Sequence, residues 1–247
     1  MLWLLGLALI FIGLRFVAWC CRCKPIVQEG RFEGAGDSSG VHVATLYERV
    51  FKPLIDCVLS FVGLIVLFPV FLLVAIAIYV NDPGPVLFCQ KRVGKNKEFF
   101  MLHKFRSMKC STPKDCPTHL LENPDQYITS VGRFIRKTSL DELPQIWDIF
   151  VGNMSIIGPR PALWNQEDLV AERELFGAND VKPGLTGWAQ INGRDELSIV
   201  DKARLDGEYC ERLSFGMDLR CFFATFISVA RQDGFVEGAS AEDGERN

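Results

Sequence analysis

With 247 residues, the chain is long enough for one well-buried catalytic core and a membrane appendage, but hardly for two independent soluble enzymes. Its formal net charge of −3 hides an uneven distribution: Lys91, Arg92, Lys95, Lys97, Lys104, Arg106 and Lys109 crowd one stretch against Glu98 alone, and the tail after Val236 is acidic. Nine irregularly spaced cysteines do not make a secreted disulfide framework and fit a reducing compartment, and the Cys-x-x-Cys from Cys20 to Cys23 lacks the second pair that a metal site needs.

Residues 2–21 are apolar apart from Arg15, long enough to cross a hydrocarbon core of about 30 Å. They predict an N-terminal transmembrane anchor over 1–24, with Arg22 and Lys24 on its cytoplasmic flank. A cleaved signal peptide is the rival reading, but the start carries no basic side chain and Trp19 is a poor cleavage position. Residues 25–45 hold Gly30, Gly34, Gly36, Ser38, Ser39 and Gly40, the composition of a flexible linker.

From Pro53 to Val80 the chain is apolar again, with Asp56 its one charge and Lys52, a helical turn earlier, as that charge's partner. A straight helix of this length would reach about 42 Å, but Pro69 removes a backbone donor mid-segment and predicts a bend. Basic residues lie on both flanks, Arg49 and Lys52 before and the Lys91–Lys109 run after. A segment over 46–82 that enters and leaves the same face satisfies both; an ordinary proline-kinked transmembrane helix is the competing reading.

The breaker cluster Asn81 to Pro85 is followed by two apolar runs, Val86 to Phe88 and Phe99 to Leu102, around a glycine-containing turn. They predict a short β-hairpin that brings Gln90, Arg92, Lys104 and Arg106 near one another. Some of these cations simply suit a surface next to anionic lipid.

Ser139-Leu140-Asp141-Glu142 has two readings. As a capping box, Ser139 and Glu142 satisfy each other's backbone donors at a helix start, where acidic residues also suit the dipole. As a reaction centre, the same helix N-terminus attracts phosphate, with Arg136 and Lys137 just before it. Asp141 is then a nucleophile for phosphorus, and Glu142 a carboxylate ligand for hard Mg²⁺. Arg160, stiffened between Pro159 and Pro161, presents a guanidinium fork. Spacing alone does not choose between the two. Further on, 198–213 and 218–231 predict helices, the second carrying Phe222, Phe223, Phe226 and Ile227 either into a headgroup plane or into a core.

On these residues the chain resembles the bacterial sugar transferase family, the small monotopic phosphoglycosyl transferases, over roughly residues 46–230. The motifs are Leu46 to Lys52 with Asp56; Gln90-x-Arg92-x-Gly94; Lys104-Phe105-Arg106-Ser107-Met108; Ser139 to Gln145; Met154-Ser155 with Gly158-Pro159-Arg160-Pro161; and Lys182 to Arg194. The resemblance implies an α+β, mainly helical, monotopic membrane enzyme with a re-entrant helix-break-helix hairpin over 46–82, a small β-hairpin and interfacial amphipathic helices. Its catalytic domain, 83–235, would face the cytoplasm at the bacterial inner membrane, ahead of an acidic tail over 236–247.

The implied reaction transfers a sugar 1-phosphate from a UDP-sugar to undecaprenyl phosphate with Mg²⁺ and releases UMP. Asp141 attacks the sugar-linked phosphate, and the lipid phosphate then attacks the phosphosugar-aspartyl intermediate. Asp141 and Glu142 are the implied catalytic pair, with Glu142 holding the metal. Lys104, Arg106, Arg136, Arg160, Gln190 and Arg194 are the implied substrate-binding residues. The implied partners are the nucleotide sugar, the lipid carrier and membrane lipid, with no nucleic acid; the sugar and the oligomeric state have no readable code. Direct attack by the lipid without a covalent intermediate, and a non-catalytic membrane scaffold, are the alternatives. The chain departs from the family pattern at Phe68, often serine, at Asp148 and Asn153, which look exchanged, and at Gly207-Glu208 before Tyr209.

Overall fold

The computed structural model describes residues 44–112, 124–193 and 196–231. The expected anchor, nearly all of the linker, Arg194 and the acidic tail lie outside them. A π-turn over Tyr47–Phe51 leads into α1 (Lys52–Val66), which has Pro53 in its first turn, where a missing N–H removes no helical bond. Helix α2 (Phe68–Asn81) follows with Pro69 in its own first turn, and the two axes bend by 59°. The bend therefore falls at Leu67, where the proline ring blocks continuation of the ladder. No single helix among the described residues is long and apolar enough to cross a membrane, but this bent pair passes the length and composition test together.

Both outer ends of the pair are tied to one globular body. On α1, Asp56 Oδ1 accepts from the Ile156 backbone N–H at 3.0 Å. Lys52 does not pair with Asp56 as its spacing suggests; its Nζ lies 2.6 Å from Asp218 Oδ2, a carboxylate supplied by a distant helix that local spacing cannot anticipate. Tyr47 and Tyr209 also donate to Asp218, at 2.8 and 2.7 Å. On α2, Val74, Ala75 and Ile78 are buried with Val86, Phe105 and Ile135. Apolar side chains are exposed along both helices, Val66 at 66% and Leu73 at 68% among them, while Val70 and Phe71 just past the bend pack against the same buried cluster.

The expected hairpin is present: β1 (Leu87–Val93) pairs antiparallel with β2 (Phe99–Phe105), in register Leu87↔Phe105 and Val93↔Phe99. Helix α3 (Ser130–Lys137) is capped by Thr129, whose Oγ1 accepts from the Gly132 N–H at 2.8 Å. Helix α4 (Gln145–Phe150) packs against α1, with Phe61 and Phe150 rings 5.9 Å apart.

A second sheet was not expected from the sequence. Strands β3 (Ser155–Ile157) and β4 (Gly184–Thr186) pair in parallel, and their glycines make the contact possible. A Cβ on Gly184 would lie 2.1 Å from the Gly158 nitrogen. Helix α5 (Glu167–Glu174), the short α6 (Trp188–Ile191), α7 (Ile199–Glu211) and α8 (Phe215–Arg231) complete a mainly helical α+β fold with two small sheets. The last two match the helices expected near the C-terminus. Tyr209, Cys210, Met217 and Cys221 carry their buried faces into a core shared with Ile157.

Candidate active site

Asp141 and Glu142 lie on a 3₁₀ turn, Leu140–Glu142, and the α-helix starts only at Gln145. The capping box does not form. Ser139 takes the left-handed conformation (φ 55°) and makes no side-chain cap, and the Glu142 carboxylate is drawn to cations instead of to its own backbone. Glu142 Oε1 accepts from Lys104 Nζ and from Arg160 Nη2, both at 2.8 Å. Burial pushes the Glu142 carboxyl up, but the charges of Arg160 and Lys104 and the bonds they donate outweigh it and hold the group well below the usual range.

Its neighbour behaves oppositely. Burial raises the Asp141 pKa, and the Glu142 charge adds to the rise, while Lys104, Arg136 and Arg160 oppose both without cancelling them. Asp141 has no hydrogen-bond partner among the described residues. It is a poorly solvated carboxylate ringed by cations, which is the condition of an available nucleophile.

The cations are positioned from separate elements. Lys104 comes from β2, and Arg136 from the last turn of α3, where its Nε donates to Ser107 Oγ at 2.8 Å. Arg160 follows β3, and its loop is gripped on both sides. The Arg160 carbonyl accepts from Arg173 Nη2 at 3.0 Å, and Arg173 is itself fixed by a buried ion pair with Asp206 at 2.6 Å. The Pro161 carbonyl accepts from Arg92 Nη1 at 3.0 Å, while Arg92 Nη2 donates to Gln90 Oε1 at 2.7 Å. Burial first, and then the nearby Arg160 charge, bring the Arg92 pKa down to about 10, against the pull of Glu142.

Sequence reasoning quoted Arg92 and Gln90 in a motif without giving them a role. Two residues apart on a strand, they share a face, and that was the signal available. The pair His103 and Asp148 was likewise missed: the Asp148 carboxylate accepts from the His103 backbone N–H at 2.9 Å and lies 2.7 Å from its Nδ1, which fastens β2 to α4 beside Lys104.

Arg106 is not brought to the dyad. Strand β2 ends at Phe105, so the alternation that would align Arg106 with Lys104 stops, and the guanidinium turns to Asp82 Oδ2 at 3.1 Å, at the end of α2. Gln190 does approach the site. It lines a cavity of about 260 Å³ together with Ser139, Glu142 and Arg160, and its Nε2 donates to the Leu185 carbonyl at 3.4 Å. Arg194 lies outside the described residues.

Among the described residues no three His, Cys, Asp or Glu side chains converge on a metal position. Glu142, however, uses Oε1 for both cations, so Oε2 takes part in neither bond, and the Glu142 charge is felt at Asp141. Mg²⁺ is commonly held by one or two carboxylates with the remaining positions filled by water and substrate phosphate, and this donor set fits that pattern.

The motifs that build this arrangement fall within residues 47–232, which match the family described as bacterial sugar transferase. The chain belongs to the bacterial sugar transferase family. It is 38% identical over 221 residues to the UDP-glucose:undecaprenyl-phosphate glucose-1-phosphate transferase of Escherichia coli (strain K12), covering 83% of this chain and 46% of that protein. It is 31% identical over 207 residues to the undecaprenyl-phosphate galactose phosphotransferase of Salmonella typhimurium, covering 78% of this chain and 43% of that family member. With the exopolysaccharide production protein ExoY of Rhizobium meliloti it shares 33% identity over 193 residues, 72% of this chain and 85% of that protein. The chain thus spans less than half the length of the first two relatives and most of the third.

Proposed function

We propose that the protein transfers a sugar 1-phosphate from a UDP-sugar to undecaprenyl phosphate, releasing UMP and opening the assembly of a bacterial polysaccharide. The carrying observation is the unlike pair: Asp141 unpaired and poorly solvated, beside Glu142 held ionised by Lys104 and Arg160. An Asp141 oxygen attacks the sugar-linked phosphorus; the new O–P bond forms as the bond to UMP breaks, and UMP leaves with the electron pair. An oxygen of the lipid phosphate then attacks the same phosphorus and frees Asp141. Lys104, Arg136 and Arg160 neutralise and orient the phosphate oxygens through charge-assisted bonds. Glu142 would hold Mg²⁺, which when bound supplies further neutralisation of phosphate charge.

The membrane part of the reading rests on the bent pair. Both of its helices are tied to one body while both also expose apolar side chains along their length, which supports a re-entrant segment better than a spanning one. The basic residues on both flanks support a cytoplasmic position for that body at the inner membrane. The names of the relatives support the lipid acceptor and polysaccharide role, and they include both a glucose and a galactose enzyme.

The test is UMP release by the full chain in membranes supplied with undecaprenyl phosphate, Mg²⁺ and a panel of UDP-sugars that includes glucose and galactose. Release with at least one donor is expected, together with a labelled phosphosugar adduct that Asp141→Ala lacks. Turnover with no adduct in rapidly quenched enzyme would assign direct attack by the lipid instead. No UMP from any donor would sink the transferase reading.

A further inference from the structure

Phosphate chemistry accounts for one side of the cavity beside the dyad but not for the other. Besides Glu142 and Arg160, the cavity of about 260 Å³ is lined mainly by Leu143, Ile156, Leu185, Ile191, Phe222 and Phe226, with Ser139, Thr186, Gln190, Thr225 and Ser228 between them. Three of its seven polar members are turned to protein or covered by it. The Thr186 and Thr225 hydroxyls bond each other at 2.8 Å, and Thr225 Oγ1 also donates to the Cys221 carbonyl at 2.7 Å. Gln190 Oε1 is covered by protein and has no hydrogen-bond partner among the described residues.

Phe222 and Phe226 belong at once to this wall and to the outer surface, where they are 38% and 61% exposed. They lie in a stripe of Phe215, Leu219, Phe222, Phe223, Phe226 and Ile227, whose spacing keeps one face of α8 apolar and whose members are all exposed. An apolar outer face therefore continues into an apolar cavity that ends on two catalytic-site charges.

We infer that this cavity receives the first isoprene units of the acceptor lipid, which enter over Phe222 and Phe226 and set the lipid phosphate beside Arg160 and the dyad. The inference rests on the transferase reading and adds the place of the acceptor to it. A nucleoside is the rival guest, but uracil and ribose would bring hydrogen-bonding groups to a wall whose threonines are already paired, at the cost of leaving them unsatisfied. An isoprenoid carries no such groups and gains from every methylene it buries.

Two substitutions on different elements test this in the detergent-solubilised full chain, with KM measured separately for lipid and nucleotide sugar. Leu185→Trp, which fills the cavity, should raise the KM for undecaprenyl phosphate about tenfold, equivalent to forfeiting the burial of roughly two methylenes. The KM for a short water-soluble isoprenyl monophosphate should rise by the same factor, and that for the UDP-sugar should stay unchanged. Phe226→Ala removes an exposed side chain that the fold does not need, so it decides the matter if Leu185→Trp fails to fold; about a threefold rise in lipid KM is expected. A rise confined to the UDP-sugar assigns the cavity to the nucleoside and overturns the inference, as does no change in either KM. A rise with the long lipid but not the short one places the effect beyond the first isoprene units and also overturns it. Failure of the transferase reading is distinct: the unsubstituted protein would then release no UMP.

Discussion

Two carboxylates joined by one peptide bond meet opposite electrostatic surroundings, and the difference has measurable consequences at the level of single residues. Asp141 has a folded pKa above its ordinary value, so its ionisation costs stability; that cost is absent below about pH 3.9 and fully present once the pH exceeds the raised value. Glu142 has a depressed folded pKa, so it contributes stability above about pH 4.3 and loses it as the pH falls through the depressed value. At neutral pH, Asp141→Asn should therefore abolish turnover without lowering the melting temperature. Glu142→Gln, which takes from Lys104 and Arg160 the negative charge they share, should lower it by about 2–6 °C, for a loss of roughly 1–2 kcal/mol. Melting curves of both variants across acidic and neutral pH check this, and the Glu142→Gln deficit should shrink on acidification. A melting temperature lowered equally by both would refute the assignment of opposite roles.

At the level of elements, the bent pair gains its definition from what its outer ends touch. Asp56 on Ile156 and Lys52 on Asp218 hold α1, and Val74, Ala75 and Ile78 hold α2, so the bend does not depend on Pro69 alone. In a variant with its exposed cysteines removed, single cysteines replacing Arg49 and Lys95 should both resist a membrane-impermeant maleimide in intact spheroplasts and both react with a permeant one. Reaction of only one with the impermeant reagent would make the pair a spanning helix. Much of this was legible in the chain: Pro69 marked the bend, the apolar runs around Gly94 marked the hairpin, and the phenylalanines at helical spacing marked α8. The capping box failed because Ser139 is left-handed, a backbone state that the Ser-x-x-Glu pattern does not encode. Arg106 was misplaced because the point at which β2 ends depends on its pairing with Leu87. The parallel β3–β4 pairing, the Arg173–Asp206 pair and the Asp218 cluster escaped because each joins residues far apart in sequence.

For the whole molecule, the question is how a centre made of charges is held at the edge of an apolar phase. Two exposed apolar surfaces suit this role in the proposed reading, the α1–α2 pair and the stripe on α8, and the Asp218 cluster ties the start of one to the start of the other. The Tyr47 and Phe215 rings, 6.2 Å apart, add an apolar contact at the same junction. The two surfaces therefore cannot be tilted independently, and the depth of the dyad relative to the bilayer follows from their shared anchor. On the proposed membrane reading, the helix pair would supply attachment, because a whole helix pair in hydrocarbon outweighs a few side chains at the interface, and the stripe would supply orientation. These roles separate in a variant carrying Phe223→Ser and Ile227→Ser, two stripe residues outside the cavity wall. The variant should remain with the membrane fraction after an alkaline carbonate wash, yet its KM for undecaprenyl phosphate in vesicles should rise roughly fivefold, about 1 kcal/mol of lost alignment. With a short isoprenyl monophosphate in detergent, where there is no bilayer to align against, its KM should equal that of the unsubstituted protein. Release from the membrane on washing would transfer the attachment role to α8, and an unchanged KM in vesicles would remove α8 from the interface.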